Sequence, residues 1–148
     1  MKKVFSLVLV LTLVSTAITV FAKTMTDYHD FIVTFYKAYA TAFSEKDMLK
    51  SFEKCDSVMA IYCTETLCKD TKDDRKETGI CYDYATDDEG ADELSYKTIK
   101  VTKRDSYYIV TYLANTMNDR NQKYVKSVKL KVTMSNGKIA TVKSLTKD

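Results

Sequence analysis

The sequence predicts an α+β domain, on three observations. Between Thr26 and Phe43 the apolar residues Tyr28, Phe31, Ile32, Phe35, Tyr36, Tyr39 and Phe43 recur at the spacing of a core-facing helix. Beyond residue 94 the apolar period shortens from that of a helix to that of a strand. Near the end, Ser135-Asn136-Gly137-Lys138 separates two alternating runs, and Asn-Gly accommodates the positive φ angles of a type I′ hairpin turn. Helices followed by an antiparallel meander give two to three N-terminal helices packed on a curved four-stranded antiparallel sheet.

The elements follow in order. Thr26 is placed to cap the first helix, with Asp27 and Asp30 in its first turn opposing the dipole. Ser44-Glu45-Lys46-Asp47 restarts a helix whose apolar face runs through Met48, Leu49, Phe52, Cys55, Met59 and Tyr62. Thr64-Glu65-Thr66 resembles a further cap, opening a short third helix through Leu67 and Cys68. The polar stretch from Asp70 to Glu93 reads as a long connection with at most one short element. Ser95 to Arg104 is the first strand, with Ile99 and Val101 on one face. Ser106 to Ala114, apolar on both faces, suits a central strand. Lys123 to Met134 alternates, Val128, Leu130, Val132 and Met134 pointing one way and Lys129, Lys131 and Thr133 the other. Lys138 to Leu145 is the last strand.

The chain has 148 residues, 45% apolar and 29% charged, with no proline, no tryptophan and three glycines. This composition excludes disordered, collagen-like and proline-rich classes. Met1-Lys2-Lys3, the apolar run Val4 to Val14, and the ending Val20-Phe21-Ala22 have the layout of a secretory signal peptide cut after Ala22. The run is short for the ~20 apolar residues of a membrane span, and no basic stop-transfer cluster follows it. The expected organisation is a signal peptide over residues 1–22 and a single domain over 23–148. The expected location is periplasmic or extracellular, with no stable membrane anchor after cleavage.

Export bears on Cys55, Cys63, Cys68 and Cys81. An even number of cysteines in an oxidising compartment points to disulfides, and the absence of C-x-x-C removes the usual zinc and thioredoxin-like signatures. Four small buried thiols are the alternative. On an unbroken second helix, Cys55 and Cys63 would stand ~12 Å apart at 1.5 Å rise per residue, beyond the ~7 Å reach of a disulfide. A Cys63–Cys68 bond would close a short loop across a helix start. The expected pairs are therefore Cys55–Cys68 and Cys63–Cys81.

Charge divides along the chain. Residues 23–93 carry 9 Lys and Arg against 17 Asp and Glu, and residues 94–148 carry 12 against 3. A basic sheet face could meet an acidic partner, but lysines on the solvent side of strands also discourage edge pairing. Nucleic acid is not expected as a partner, since arginine occurs only at Arg75, Arg104 and Arg120. The acidic run Asp83, Asp87, Asp88, Glu89, Asp92 and Glu93 fails the EF-hand spacing. Counted from Gly90 as the turn glycine, Ala85 and Tyr96 fall where the first and twelfth ligands belong. The single histidine, His29, has no carboxylate three or four residues away to orient its ring on a helix. No catalytic residue, metal site or cofactor is assigned.

Tyrosine is the unusual component, with 11 residues. Tyr36 and Tyr39 lie on the first helix and Tyr108 and Tyr112 on the central strand. Where that helix crosses that strand, these four would line either a ligand pocket or the core itself.

Phe31 to Ala42, Ile61 to Lys69 and Tyr96 to Tyr112, with the Asn136-Gly137-Lys138 turn, resemble a family of small secreted proteins of unknown function from gut anaerobes. Phe31 to Ala42 (Phe-Ile-Val-Thr-Phe-Tyr-Lys-Ala-Tyr-Ala-Thr-Ala) is similar to the family's opening helix. Ile61 to Lys69 (Ile-Tyr-Cys-Thr-Glu-Thr-Leu-Cys-Lys) is similar to its interhelical turn, without the usual proline. Tyr96 to Tyr112 resembles its first hairpin, and Asn136-Gly137-Lys138 its final turn. The resemblance implies a cystatin-like (nuclear transport factor 2-like) fold, with helices on the concave face of the sheet, and no functional residue transfers with it.

The expected function is an exported, non-catalytic binding module for a small ligand or a protein partner, with an immunity or inhibitor role as one version. A small enzyme using a carboxylate in an apolar pocket is one alternative, and a structural envelope protein is another.

Overall fold

The structure, a computed structural model, describes residues 26–78, 85–86, 91–117 and 120–146. Among the described residues four helices, α1 (His29–Phe43), α2 (Met48–Tyr62), α3 (Glu65–Thr78) and α4 (Glu93–Thr98), precede four strands. The strands are β1 (Lys100–Lys103), β2 (Tyr108–Met117), β3 (Lys123–Ser135) and β4 (Lys138–Ser144). They form one antiparallel sheet in the order β1-β2-β3-β4, an α+β fold with its N-terminal helices packed against an open sheet. The expected signal peptide over residues 1–22 and its expected cleavage point lie outside the described residues, as do Cys81, Asp83, Asp87, Asp88 and Glu89. Among the described residues no helix is long and apolar enough to cross a membrane.

Helix α1 starts later than Thr26 suggested. Tyr28 occupies the cap position with no side-chain cap bond, at φ −98° and ψ 15°. Two other groups hold the start. Asp27 Oδ1 accepts from the His29 N–H at 3.0 Å, and the Tyr108 hydroxyl accepts from the Tyr28 N–H at 2.8 Å. Of the predicted stripe Ile32, Phe35, Tyr36 and Tyr39 are buried and Tyr28, Phe31 and Phe43 partly buried, while Ala40 and Ala42 are buried beside them. Helix α2 starts where expected because Asp47 accepts from the N–H groups of Leu49 (3.1 Å) and Lys50 (3.2 Å).

The polar middle departs most from expectation. Helix α3 does not stop near Cys68 but runs to Thr78, so much of the expected connection is helix. It packs along one line of residues a turn apart, Leu67 and Thr71, both buried, and Arg75; the Thr71 hydroxyl donates to the Leu67 carbonyl at 2.9 Å. The start of the expected first strand is likewise helical. Asp92 accepts from the Ser95 N–H at 3.0 Å while the Ser95 hydroxyl accepts from the Asp92 N–H at 3.4 Å, and this reciprocal cap opens α4. Strand β1 is therefore four residues long and covers only Tyr108–Thr111 of β2. Helix α4 takes over along the rest of that edge, where Thr98 Oγ1 accepts from the Leu113 N–H at 2.9 Å. The helix so occupies a strand edge that would otherwise be open to pairing.

The later strands follow the alternation. Val110, Tyr112 and Ala114 of β2, Val128, Leu130 and Val132 of β3, and Ile139 and Val142 of β4 are buried beneath the helices. Asn136 (φ 49°) and Gly137 (φ 76°) are both left-handed, as the type I′ turn requires. On the opposite face Lys131 extends over the Tyr107 ring, 4.4 Å from its centroid. Beta-2 is central in order yet covered on one face only, so Leu113 and Met117 are exposed. The hairpin is tied back to the helices at Cys63, which forms a parallel bridge with Ile139, and at Thr64, whose N–H donates to the Ile139 carbonyl at 2.9 Å. Lys138 Nζ donates to the Ile61 carbonyl, meeting the negative end of the α2 dipole.

Candidate functional site

The four candidate tyrosines, Tyr36, Tyr39, Tyr108 and Tyr112, are all part of the core, between 0% and 5% exposed, and of them Tyr36 and Tyr112 meet between α1 and β2. Tyr36 and Tyr112 face one another with ring centroids 6.3 Å apart, and Phe35 stacks edge-on against Tyr36 at 4.9 Å. The phenol groups leave this cluster in different directions. Tyr112 donates to the Thr86 carbonyl, Tyr108 reaches Asp27 at 3.3 Å, and Tyr39 accepts from Arg75 Nη2 at 2.7 Å. These three hydroxyls are thus satisfied while each fastens a different segment to the core.

Arg75 was not singled out in the sequence. It lies on the half of α3 that reads as polar connection, yet its side chain is only 10% exposed. Its guanidinium bonds Asp56 at 2.8 Å as well as Tyr39 and stacks 5.1 Å from the Phe52 ring. Lys72 also reaches Asp56, at 3.3 Å. The signal available was the run from Glu65 to Thr78, without a glycine or proline and followed by Gly79.

Of the cysteines, Cys55 faces the core from α2, Cys63 ends α2 and Cys68 lies half-buried in the first turns of α3. Among the described residues the structure contains no disulfide, and the expected Cys55–Cys68 bond is not formed. Cys55 belongs to the α2 face turned toward the core, whereas Cys68 shares a groove with Cys63. The Cys63–Cys81 pairing lies outside the described residues. His29 also differs from expectation: its Nδ1 lies 2.8 Å from Oδ1 of the adjacent Asp30, and both side chains are exposed.

A cleft opens beyond the tyrosine cluster, at the end of the junction. It has a volume of about 640 Å³ and is lined by Phe43, Ala91, Asp92, Asn115, Thr116, Met117 and Lys123. Phe43 is the last residue of α1, Asp92 caps α4, and Met117 pairs with Lys123 where β2 and β3 end. The floor is set by Asp92, whose Oδ1 accepts from the Ser95 N–H and whose Oδ2 accepts from the Asn115 amide. Burial works to raise the Asp92 pKa, but hydrogen bonds from Ser95, Asn115 and the Leu94 backbone outweigh it and hold the carboxyl below its usual range. The cleft therefore presents a carboxylate bonded to an amide, a lysine, an aromatic ring and a thioether-bearing chain.

A solved protein of unknown function from Bacteroides thetaiotaomicron has the same fold. It matches with a TM-score of 0.60 at 20% identity, covering 88% of this chain and 98% of its own. No family model matches the chain, and no curated protein does.

Proposed function

We propose that the chain is an exported, non-catalytic binding module that holds a small molecule in the cleft between Phe43, Asp92 and Lys123. The observation that carries this reading is the mixed lining, an apolar wall from Phe43 and Met117 with a few polar groups converging on it. Such a lining suits a ligand with an apolar body and an anionic group for Lys123. The enzyme alternative asks for a carboxyl kept protonated near neutral pH. Asp92 is held the other way, so it serves as a hydrogen-bond acceptor and not as a proton donor. The charged n-region and apolar run of residues 1–22 support export. We also infer a cystatin-like (nuclear transport factor 2-like) fold, on the order of helices before meander and on the family resemblance of Phe31–Ala42 and Tyr96–Tyr112.

Anilinonaphthalene sulfonate, an anionic fluorophore with an apolar body, tests the cleft. Saturable binding to the folded protein is expected, weakened by Lys123→Glu and by Met117→Asp. Equal binding by both variants and the wild type would overturn the reading.

A further inference from the structure

We propose that Cys63 and Cys68 form a dithiol site that takes an anionic low-molecular-weight disulfide as its oxidant and closes to an intramolecular bond. The argument begins at the start of α3. Thr64 is the cap residue: its hydroxyl accepts from the Leu67 N–H at 3.4 Å and its carbonyl from the Cys68 N–H at 3.0 Å. Cys63 then stands just before the cap and Cys68 at the fourth helical position. These are the two positions whose side chains pack together in a hydrophobic staple, which fixes the angle at which a chain enters a helix. Here both staple residues are cysteines. The pairing that looks unfavourable as a short loop across a helix start is the one this geometry brings together, and both residues line one groove of about 510 Å³.

The two thiols differ in access. Cys63 is 4% exposed, while Cys68 is half-buried and opens to the groove. Burial pushes the Cys63 thiol up to about 12, and it raises Cys68 too, there opposed by Lys72. Cys68 is therefore the point of entry. The groove explains the choice of substrate. Besides Ala60 and the two thiols it is lined by Lys69, Lys72 and Lys76 against Glu65 and Asp73, and the Lys138 charge also reaches both sulfurs. The excess is cationic, which suits a disulfide carrying carboxylates.

The chemistry balances. The Cys68 thiolate attacks one sulfur of the incoming disulfide, whose S–S bond breaks and releases one thiolate that takes up a proton. Cys63 then loses its proton to solvent and attacks the Cys68 sulfur, expelling the second small thiolate, which is protonated in turn. Two protein thiols are oxidised and one small disulfide is reduced to two thiols.

The full chain, purified reduced, would be incubated with oxidised glutathione, quenched by alkylation and mapped by peptide fragmentation. The expected product links Cys63 to Cys68 and leaves Cys55 open to alkylation after denaturation. Cys63→Ser should stop at a glutathione adduct on Cys68, and Cys68→Ser should slow thiol loss by about tenfold or more. Lys69→Glu with Lys76→Glu, which leaves Lys72 beside Cys68 in place, should slow oxidation by oxidised glutathione but not by uncharged hydroxyethyl disulfide. A bond from Cys55 or Cys81 to either residue would overturn the proposal. So would a wild-type adduct on Cys68 that never resolves, or thiols that stay alkylatable throughout.

Discussion

The middle of the helix–sheet junction and its far end are built from the same two elements and end up as opposites. In the middle, α1 lies over β2 and each inward position of the strand carries a side chain large enough to meet it: Tyr108, Val110 and Tyr112. Farther along, β2 continues with the smaller inward residues Ala114 and Thr116 while α1 has ended at Phe43. Fifteen helical residues reach roughly 22 Å, whereas ten strand residues reach roughly 33 Å. The sheet outruns its cover, and the cleft lies where it does so. The lesson is that a binding cavity here needs no special motif, only a mismatch in length between two packed elements.

The sharpest way to break this contrast is Tyr112→Ala. As core, Tyr112 should cost ~3–5 kcal/mol on truncation, measured by chemical denaturation. A loss below about 1 kcal/mol, the ordinary level for partly exposed sites, would put the cavity in the middle after all. Arg75→Leu tests how firmly the middle is clamped. It removes the bonds to Tyr39 and Asp56, and with Asp56 still partly solvated the expected loss is roughly 1–3 kcal/mol.

At the far end the effects should be smaller. Asp92→Ala removes the reciprocal cap of α4 and should cost ~1 kcal/mol. Its pH dependence has a definite direction. Because the folded Asp92 pKa lies below that of the unfolded chain, near 3.9, its contribution is complete above that pH. The contribution falls away as acid protonates the folded carboxyl. Urea midpoints of the wild type and Asp92→Asn should therefore differ by a constant amount above about pH 5 and converge as the pH drops below about 4. Lys123→Ala should change stability by no more than about 0.5 kcal/mol, the range of surface substitutions, while weakening fluorophore binding. If stability rather than binding moves, the cleft is structural.

Much of the middle was legible in the sequence, because a strand with one buried face must alternate and Val128, Leu130 and Val132 do. The Asn136-Gly137 turn was legible for the same local reason. The opening of helix α3 at Thr64–Thr66 was legible as well. Its extension beyond Cys68 was not, since Thr71 and Arg75, which face the protein there, are polar and show no apolar period, and a buried arginine reads as a solvated one. Residues 95–99 mislead in another way. Tyr96, Thr98 and Ile99 favour strand by composition, and the Asp92–Ser95 cap overrides them. The cleft was illegible because its walls come from residues 43, 91–92, 115–117 and 123, brought together only by tertiary packing.

The tie between the last hairpin and the end of α2 also has a consequence in time. Lys138 and Ile139 meet Ile61, Cys63 and Thr64 across more than seventy residues of chain. Contacts of such sequence separation close slowly, since the intervening loop must give up its freedom before any contact rewards it. A chain synthesised from its N-terminus makes that hairpin only after the helices it joins. The helices therefore wait, without this latch, until the β3–β4 hairpin has emerged.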